Sequence, residues 1–124
     1  MTKHVLSVGQ CGPDNYSLSR FLQSKFNVQV DTADTAAEAL DRVRRSPPDL
    51  VLINRKLDCD YSDGTEIVRL IKADPALAET PVMLVTNYPE HQEQAVALGA
   101  EYGFGKLEFG SPDVVLRLEP FLKG

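Results

Sequence analysis

Two short aliphatic runs of the same design constrain the fold most: Leu50-Val51-Leu52-Ile53-Asn54 and Val82-Met83-Leu84-Val85-Thr86. In each, four apolar residues are closed by one polar residue. A run that short and continuous reads as a strand covered on both faces, as in a parallel sheet between two layers of helices. Open sheets of this kind gather their ligand chemistry at the carboxyl ends of the strands. Asn54 and Thr86 therefore stand where chemistry is expected. An amide at position 54 can hydrogen-bond, but it is neither a carboxylate nucleophile nor an ionic metal ligand.

The segments around these runs alternate between strand and helix patterns. Val5-Leu6-Ser7-Val8 is a first strand, ended by the turn signal from Gly9 to Pro13. Asp14 or Asn15 is placed to cap a first helix with Leu18, Phe21 and Leu22 on its inner side. Asn27 to Asp31 alternates apolar and polar, which suits a half-buried strand near a sheet edge. Thr35 can cap a helix from Ala36 to about Arg45, with Ala37, Leu40 and Val43 inward. Arg44 and Arg45 suit its carboxyl end, and Ser46-Pro47-Pro48 stops it.

After Asn54, a polar and acidic loop from Leu57 to Asp63 leads through Gly64 into a helix over about Thr65 to Ala73. Ile67, Leu70 and Ile71 face inward there. Pro89 opens a helix that Gly99 ends after Leu98. Tyr102-Gly103-Phe104-Gly105 is a weak last strand, followed by Lys106. Ser111 or Asp113 starts the final helix, with Val114, Val115, Leu118 and Phe121 or Leu122 inward. The βα unit thus occurs five times, and such alternation argues for a parallel sheet with helices on both faces.

The 124 residues suit one domain spanning 1–124. A net charge of −5 argues against unaided binding to nucleic acid or an anionic membrane. No stretch approaches the ~20 apolar residues of a membrane span. The two cysteines, Cys11 and Cys59, make no disulfide framework, and the expected compartment is the cytoplasm.

Five βα units in a chain of this length are similar to the flavodoxin-like folds, and particular residues narrow the likeness. The segment from Phe26 to Leu40 resembles the second strand and helix of a bacterial response-regulator receiver domain. Pro48 to Ile53 resembles the third strand, and Pro81 to Thr86 the fourth. Gly99-Ala100 followed by Lys106 resembles the fifth-strand region. The resemblance implies a (βα)5 three-layer sandwich with a parallel sheet in the order 2-1-3-4-5. It also implies phosphoryl transfer to an aspartate at the end of strand three. An acidic pair after strand one would hold Mg²⁺, a hard cation that takes oxygen ligands. A Thr or Ser and a Lys, ending strands four and five, would contact the phosphoryl oxygens, and a strand-five aromatic would report the switch.

Position by position, much of that centre is missing. The phosphoacceptor falls on Asn54. The acidic pair falls on Gly9 and Gln10, or on Gln10 and Cys11 if the register slips by one. The switch aromatic falls on Gly103. Thr86 and Lys106 are retained, Asn87 follows the Thr, and Leu107 replaces the proline that usually follows the Lys. The loop before Gly64 is two residues longer than usual. Asp14 could reach back toward the site, but reads first as a helix cap. Mg²⁺ binding is expected to be absent or weak, and phosphoryl transfer lacks both nucleophile and charge neutralisation.

The expectation is a non-enzymatic pseudo-receiver that signals by protein contact. Its partner would be a pathway protein or a second copy, docked on the face of helix four, strand five and helix five. Glu93, Gln94, Ala97, Phe104 and Arg117 are its candidate residues. A second reading is a small-anion sensor using Asn54, Thr86 and Lys106, with Cys11 beside them. A third is an unusual receiver phosphorylated on Asp14, Asp58 or Asp60. Asn54 reads as a strand-end polar group bonded to Lys106 or Thr86 in preference to a neutral phosphoaspartate mimic. Asp58, Asp60 and Asp63 read as a solvated loop, since Gly64 and Arg69 fall at the wrong positions for a Ca²⁺ loop.

Overall fold

The computed structural model describes residues 2–123. Its elements run β1 (Lys3–Val8), α1 (Gly12–Lys25), β2 (Val28–Ala33), α2 (Ala36–Arg45), β3 (Leu50–Asn54), α3 (Gly64–Ala73), β4 (Val82–Val85), α4 (Pro89–Ala97), β5 (Glu101–Phe104) and α5 (Pro112–Leu122). A short 3-10 turn, Lys106–Glu108, lies between β5 and α5. The five strands form one sheet in the order β2-β1-β3-β4-β5, and every pairing is parallel.

β3 lies at the centre, and its four aliphatic residues have no exposed surface. Its alternation divides them between two cores. Val51 and Ile53 join Ala39 and Val43 of α2, Ile67, Val68 and Ile71 of α3 and Ala95 of α4. Leu50 and Leu52 join Leu18, Phe21 and Leu22 of α1 and Val114, Leu118 and Leu122 of α5. Three helices therefore cover one face of the sheet and two cover the other.

The helix starts follow local chemistry. The Thr35 hydroxyl accepts from the Glu38 N–H at 3.1 Å and caps α2. The Asp63 carboxylate accepts from the Thr65 N–H at 3.0 Å and caps α3. α1, α4 and α5 each begin with a proline in the first turn, where its missing N–H loses no helical bond. Neither Asp14 nor Asn15 caps α1. The cap residue is Cys11, and Gly12-Pro13 already lie inside the helix, so both side chains are free for other partners.

Candidate functional site

The carboxyl ends of β3 and β4, with Lys106 beyond β5, enclose a cleft of about 240 Å³. It is lined by Asn54, Arg55, Lys56, Val85, Thr86, Asn87, Tyr88 and Lys106. Asn54 sits at the last position of β3, paired in register with Val85. Its side chain binds neither Lys106 nor Thr86, contrary to the sequence-based expectation. Asn54 Nδ2 donates to the Lys56 carbonyl at 2.7 Å and to the Gly9 carbonyl at 3.3 Å. The amide thus ties the end of β3 to its own outgoing loop and to the loop after β1.

Gly9 is the second half of that tie. Its φ is +74°, in the left-handed region that glycine enters most easily. A Cβ there would overlap Leu57 Cδ2 and lie 3.0 Å from Leu57 Cα. Leu57 is 1% exposed, so the β3–α3 loop has placed an apolar plug against the position. The Gly9 carbonyl also accepts from the Asp58 N–H at 2.9 Å. The longer loop folds on itself to do this: Leu57 N–H donates to Ser62 O, Lys56 bridges Asp63 in antiparallel fashion, and Tyr61 takes a φ of +59°.

Lys106 is held from the other side. Its Nζ lies 2.5 Å from Asp14 Oδ2, with both side chains about one-third exposed (34% and 37%). Hydrogen bonding from Lys106, and then from Cys11, holds the Asp14 carboxyl below the usual aspartate range. Asp14 therefore reaches back to the site as an ion-pair partner of the retained lysine. Thr86 is buried, its Oγ1 accepts from the Tyr88 N–H at 3.3 Å, and it lies 3.2 Å from His91 Nδ1. Asn87 Oδ1 accepts from the Leu107 N–H at 3.1 Å and ties the β4–α4 loop to the 3-10 turn.

Gly103 has an equally specific neighbour. A Cβ there would overlap the Leu84 carbonyl and lie 3.2 Å from Gln92 Oε1. Gln92, on α4, is 2% exposed. Its Oε1 accepts from the Gly103 N–H at 2.8 Å, and its Nε2 donates to the Leu84 carbonyl at 2.9 Å and the Thr86 carbonyl at 3.3 Å. One buried amide thus stitches β4 to β5 where their register shifts between Met83 and Val85.

The residues present do not fit a divalent cation of the Mg²⁺ type. The Gly9 carbonyl already accepts two N–H donors, and Asn54 presents N–H groups to carbonyls. Gln10 lines a different cavity, on the β2 side of β1. Among the described residues, no group of three or more His, Cys, Asp or Glu side chains could hold a metal ion.

Of the expected interaction face, Glu93, Gln94 and Ala97 are exposed on α4. Phe104 does not belong to it. It is 1% exposed and meets Phe21 and Phe109 edge-on at centroid distances of 6.3 and 6.0 Å. Tyr102 is the outward aromatic of β5. Arg117 stacks 5.2 Å over its ring and donates to the Gly103 carbonyl. The acidic loop is not one cluster: Asp63 caps α3, and Asp60 accepts from Ser62 N–H and Oγ at 2.9 and 2.7 Å. Both cysteines are free thiols.

The sheet order and the cleft at its carboxyl end define a receiver-type α/β domain. A family model, the response regulator receiver domain, matches residues 15–113, and the chain belongs to that family. Solved structures agree on the fold. CheY4, the chemotaxis response regulator of Vibrio cholerae, is 22% identical over 98% of this chain and 100% of that one, with a TM-score of 0.75. The signal receiver domain of a DNA-binding response regulator from Colwellia psychrerythraea 34H is 24% identical over 98% and 99%, with a TM-score of 0.80. NtrX from Brucella abortus is 25% identical over 99% of this chain but 27% of its own, with a TM-score of 0.78. No curated protein sequence matches the chain. No helix among the described residues is long and apolar enough to cross a membrane.

Proposed function

We propose that this chain is a phosphorylation-independent member of the receiver family, a signalling module that works through protein contact. The observation that carries the reading is the closure around Gly9. Where an acceptor carboxylate and a metal-binding carboxylate would meet, the chain has an amide–carbonyl network plugged by Leu57. The partner surface in this reading is the exposed side of α4 with the outer edge of β5. Glu93, Gln94 and Ala97 lie on the helix, Tyr102 and Arg117 beside the strand. Its occupant is a pathway protein or a second copy of the chain.

The anion-sensor reading is weaker, because Lys106 would have to leave Asp14 to meet an anion and Thr86 Oγ1 is already engaged. Phosphorylation on Asp14 or Asp60 would likewise break the contacts that hold those carboxylates.

The test is intact-mass measurement after incubation with Mg²⁺ and acetyl phosphate. The reading expects no added phosphoryl group. Stoichiometric gain at one site would overturn it.

A further inference from the structure

At the cleft end of the sheet, two exposed surfaces of opposite charge lie side by side. The cleft lining holds Arg55, Lys56 and Lys106 and no carboxylate, in a chain whose net charge is −5. Lys106 is paired with Asp14. Among the described residues, Arg55 and Lys56 make no ion pair with any carboxylate. Two apolar side chains stand beside these charges in solvent. Tyr88, in the lining, is 58% exposed, and Leu107, next to Lys106, is 86% exposed. Both residues are held in position: Tyr88 meets the His91 ring edge-on at 5.3 Å, and the Leu107 N–H donates to Asn87.

The loop from β3 to α3 leaves the cleft wall through Arg55 and Lys56 and carries the complement. Asp58, Asp60 and Tyr61 are all exposed, Tyr61 at 76%. Neither aspartate has a lysine or arginine partner among the described residues. The Ser62 hydroxyl and N–H both donate to Asp60 Oδ1, which holds that carboxyl below the usual aspartate range and keeps it ionised at neutral pH. The Tyr61 N–H donates to the Leu57 carbonyl at 2.7 Å, so the ring projects from a closed turn. An acidic aromatic loop and a basic cleft with an apolar rim, on one end of one chain, complement each other across a two-fold axis, where each contact is made twice. Exposed aromatic and aliphatic anchors among charged neighbours are the make-up of a specific interface.

We propose that two copies of this chain pair about a two-fold axis at this end of the sheet, the β3–α3 loop of each lying on the cleft of the other. Asp58 and Asp60 of one copy face Arg55 and Lys56 of the second, and Tyr61 packs against Tyr88 and Leu107. The pairing uses neither α4 nor β5, so it stands apart from the surface in the proposed function.

Sedimentation equilibrium of the intact chain, from micromolar to millimolar concentration, reads the pairing. At low salt the average mass is expected to rise from 13.7 kDa toward twice that value. High salt should move the rise to higher concentration, since the paired charges are solvent-accessible. Lys56→Glu and Asp60→Lys should each weaken pairing about tenfold or more, by setting like charges against each other. Mixed in equal amounts, the two variants should pair again, because each contact then joins opposite charges. A loop that had merely lost its fold could not be rescued by mixing. Glu93→Arg, exposed on α4, should leave pairing unchanged. A parent chain that stays monomeric at low salt would overturn the proposal. That includes one that stays monomeric while binding oligo-aspartate, which would assign the cleft to a foreign acidic partner. Pairing that survives both reversals, or a mixture that stays monomeric, would also overturn it. So would loss of pairing in Glu93→Arg, which would move the contact to α4.

Discussion

The buried amide of Gln92 lies against Gly103, accepting from the Gly103 N–H while donating to the Leu84 carbonyl that a Cβ at 103 would strike. In the resembled family this strand-five position carries the switch aromatic. Here α4 is bolted to β4 and β5 through one side chain, at the point where the β4–β5 register shifts. Gln92→Leu keeps the volume and removes the bolt. It leaves the Gly103 N–H and Leu84 carbonyl buried and unpaired, so a loss of about 1–3 kcal/mol is expected. Urea unfolding should show the midpoint falling with the m-value unchanged. An unchanged midpoint would mean the amide is dispensable.

Asn54→Asp is the obvious attempt to restore an acceptor. The substitution replaces an N–H donor with an oxygen facing the Lys56 and Gly9 carbonyls. At neutral pH we expect about 1–3 kcal/mol of destabilisation. The sign of its pH dependence follows from the geometry. Carbonyl oxygens oppose the ionised form, so the folded-state pKa of the introduced carboxyl is raised. Relative to the parent, the variant should therefore regain stability as the pH falls and the carboxyl protonates. A stability difference independent of pH between 7 and 4 would contradict this.

The pair between Asp14 and Lys106 gives the opposite slope. The folded-state pKa of Asp14 is depressed below 3.8 by Lys106. Its contribution is complete above that value and is lost as the pH falls through the lower, folded value. Both groups are about one-third exposed, so solvent screening keeps the effect of Asp14→Asn below about 1 kcal/mol. The difference from the parent should shrink in acid and at high salt. A larger loss that salt leaves untouched would assign Asp14 a role in packing.

Gly9 and Leu57 should behave as a coupled pair. Gly9→Ala meets both the left-handed backbone and the Leu57 side chain. The two effects are worth about 1–2 kcal/mol for the conformation and about 1–3 for overpacking. Leu57→Ala alone should cost about 2–5 kcal/mol through the cavity it leaves. The double variant should be less unstable than the sum, since the added methyl then has room. Strict additivity in a double-mutant cycle would show that the plug does not press on position 9.

What was legible in the sequence was whatever depended on local pattern. The β3 run was readable because burial on both faces needs four aliphatics in a row, and Thr35 because its side chain reaches only three residues ahead. Three readings failed where a distant partner decided the outcome. Asn54 was assigned to Lys106 or Thr86, but its amide found the Gly9 carbonyl, 45 residues back. Asp14 was assigned to the helix cap, but Gly12-Pro13 had already started α1, and its carboxylate found a lysine 92 residues on. Phe104 was assigned to the surface, but the β4–β5 register shift and the edge-on contacts with Phe21 and Phe109 turn it into the core. The roles of Leu57 and Gln92 left no mark in sequence, because each depends on a glycine distant in the chain: Leu57 fills the space beside Gly9, and Gln92 takes the N–H of Gly103.

In the function we propose, the amide–carbonyl closure around Gly9 and Asn54 leaves the cleft without the acceptor and metal-binding carboxylates that receiver phosphochemistry needs. The most direct measurement is a titration of the intact chain with Mg²⁺ and beryllofluoride, read by amide and fluorine NMR. The account predicts no bound fluorine signal and unmoved amides at Gly9, Asn54, Thr86 and Lys106. A saturable fluorine resonance, with amide shifts at those four residues, would contradict it.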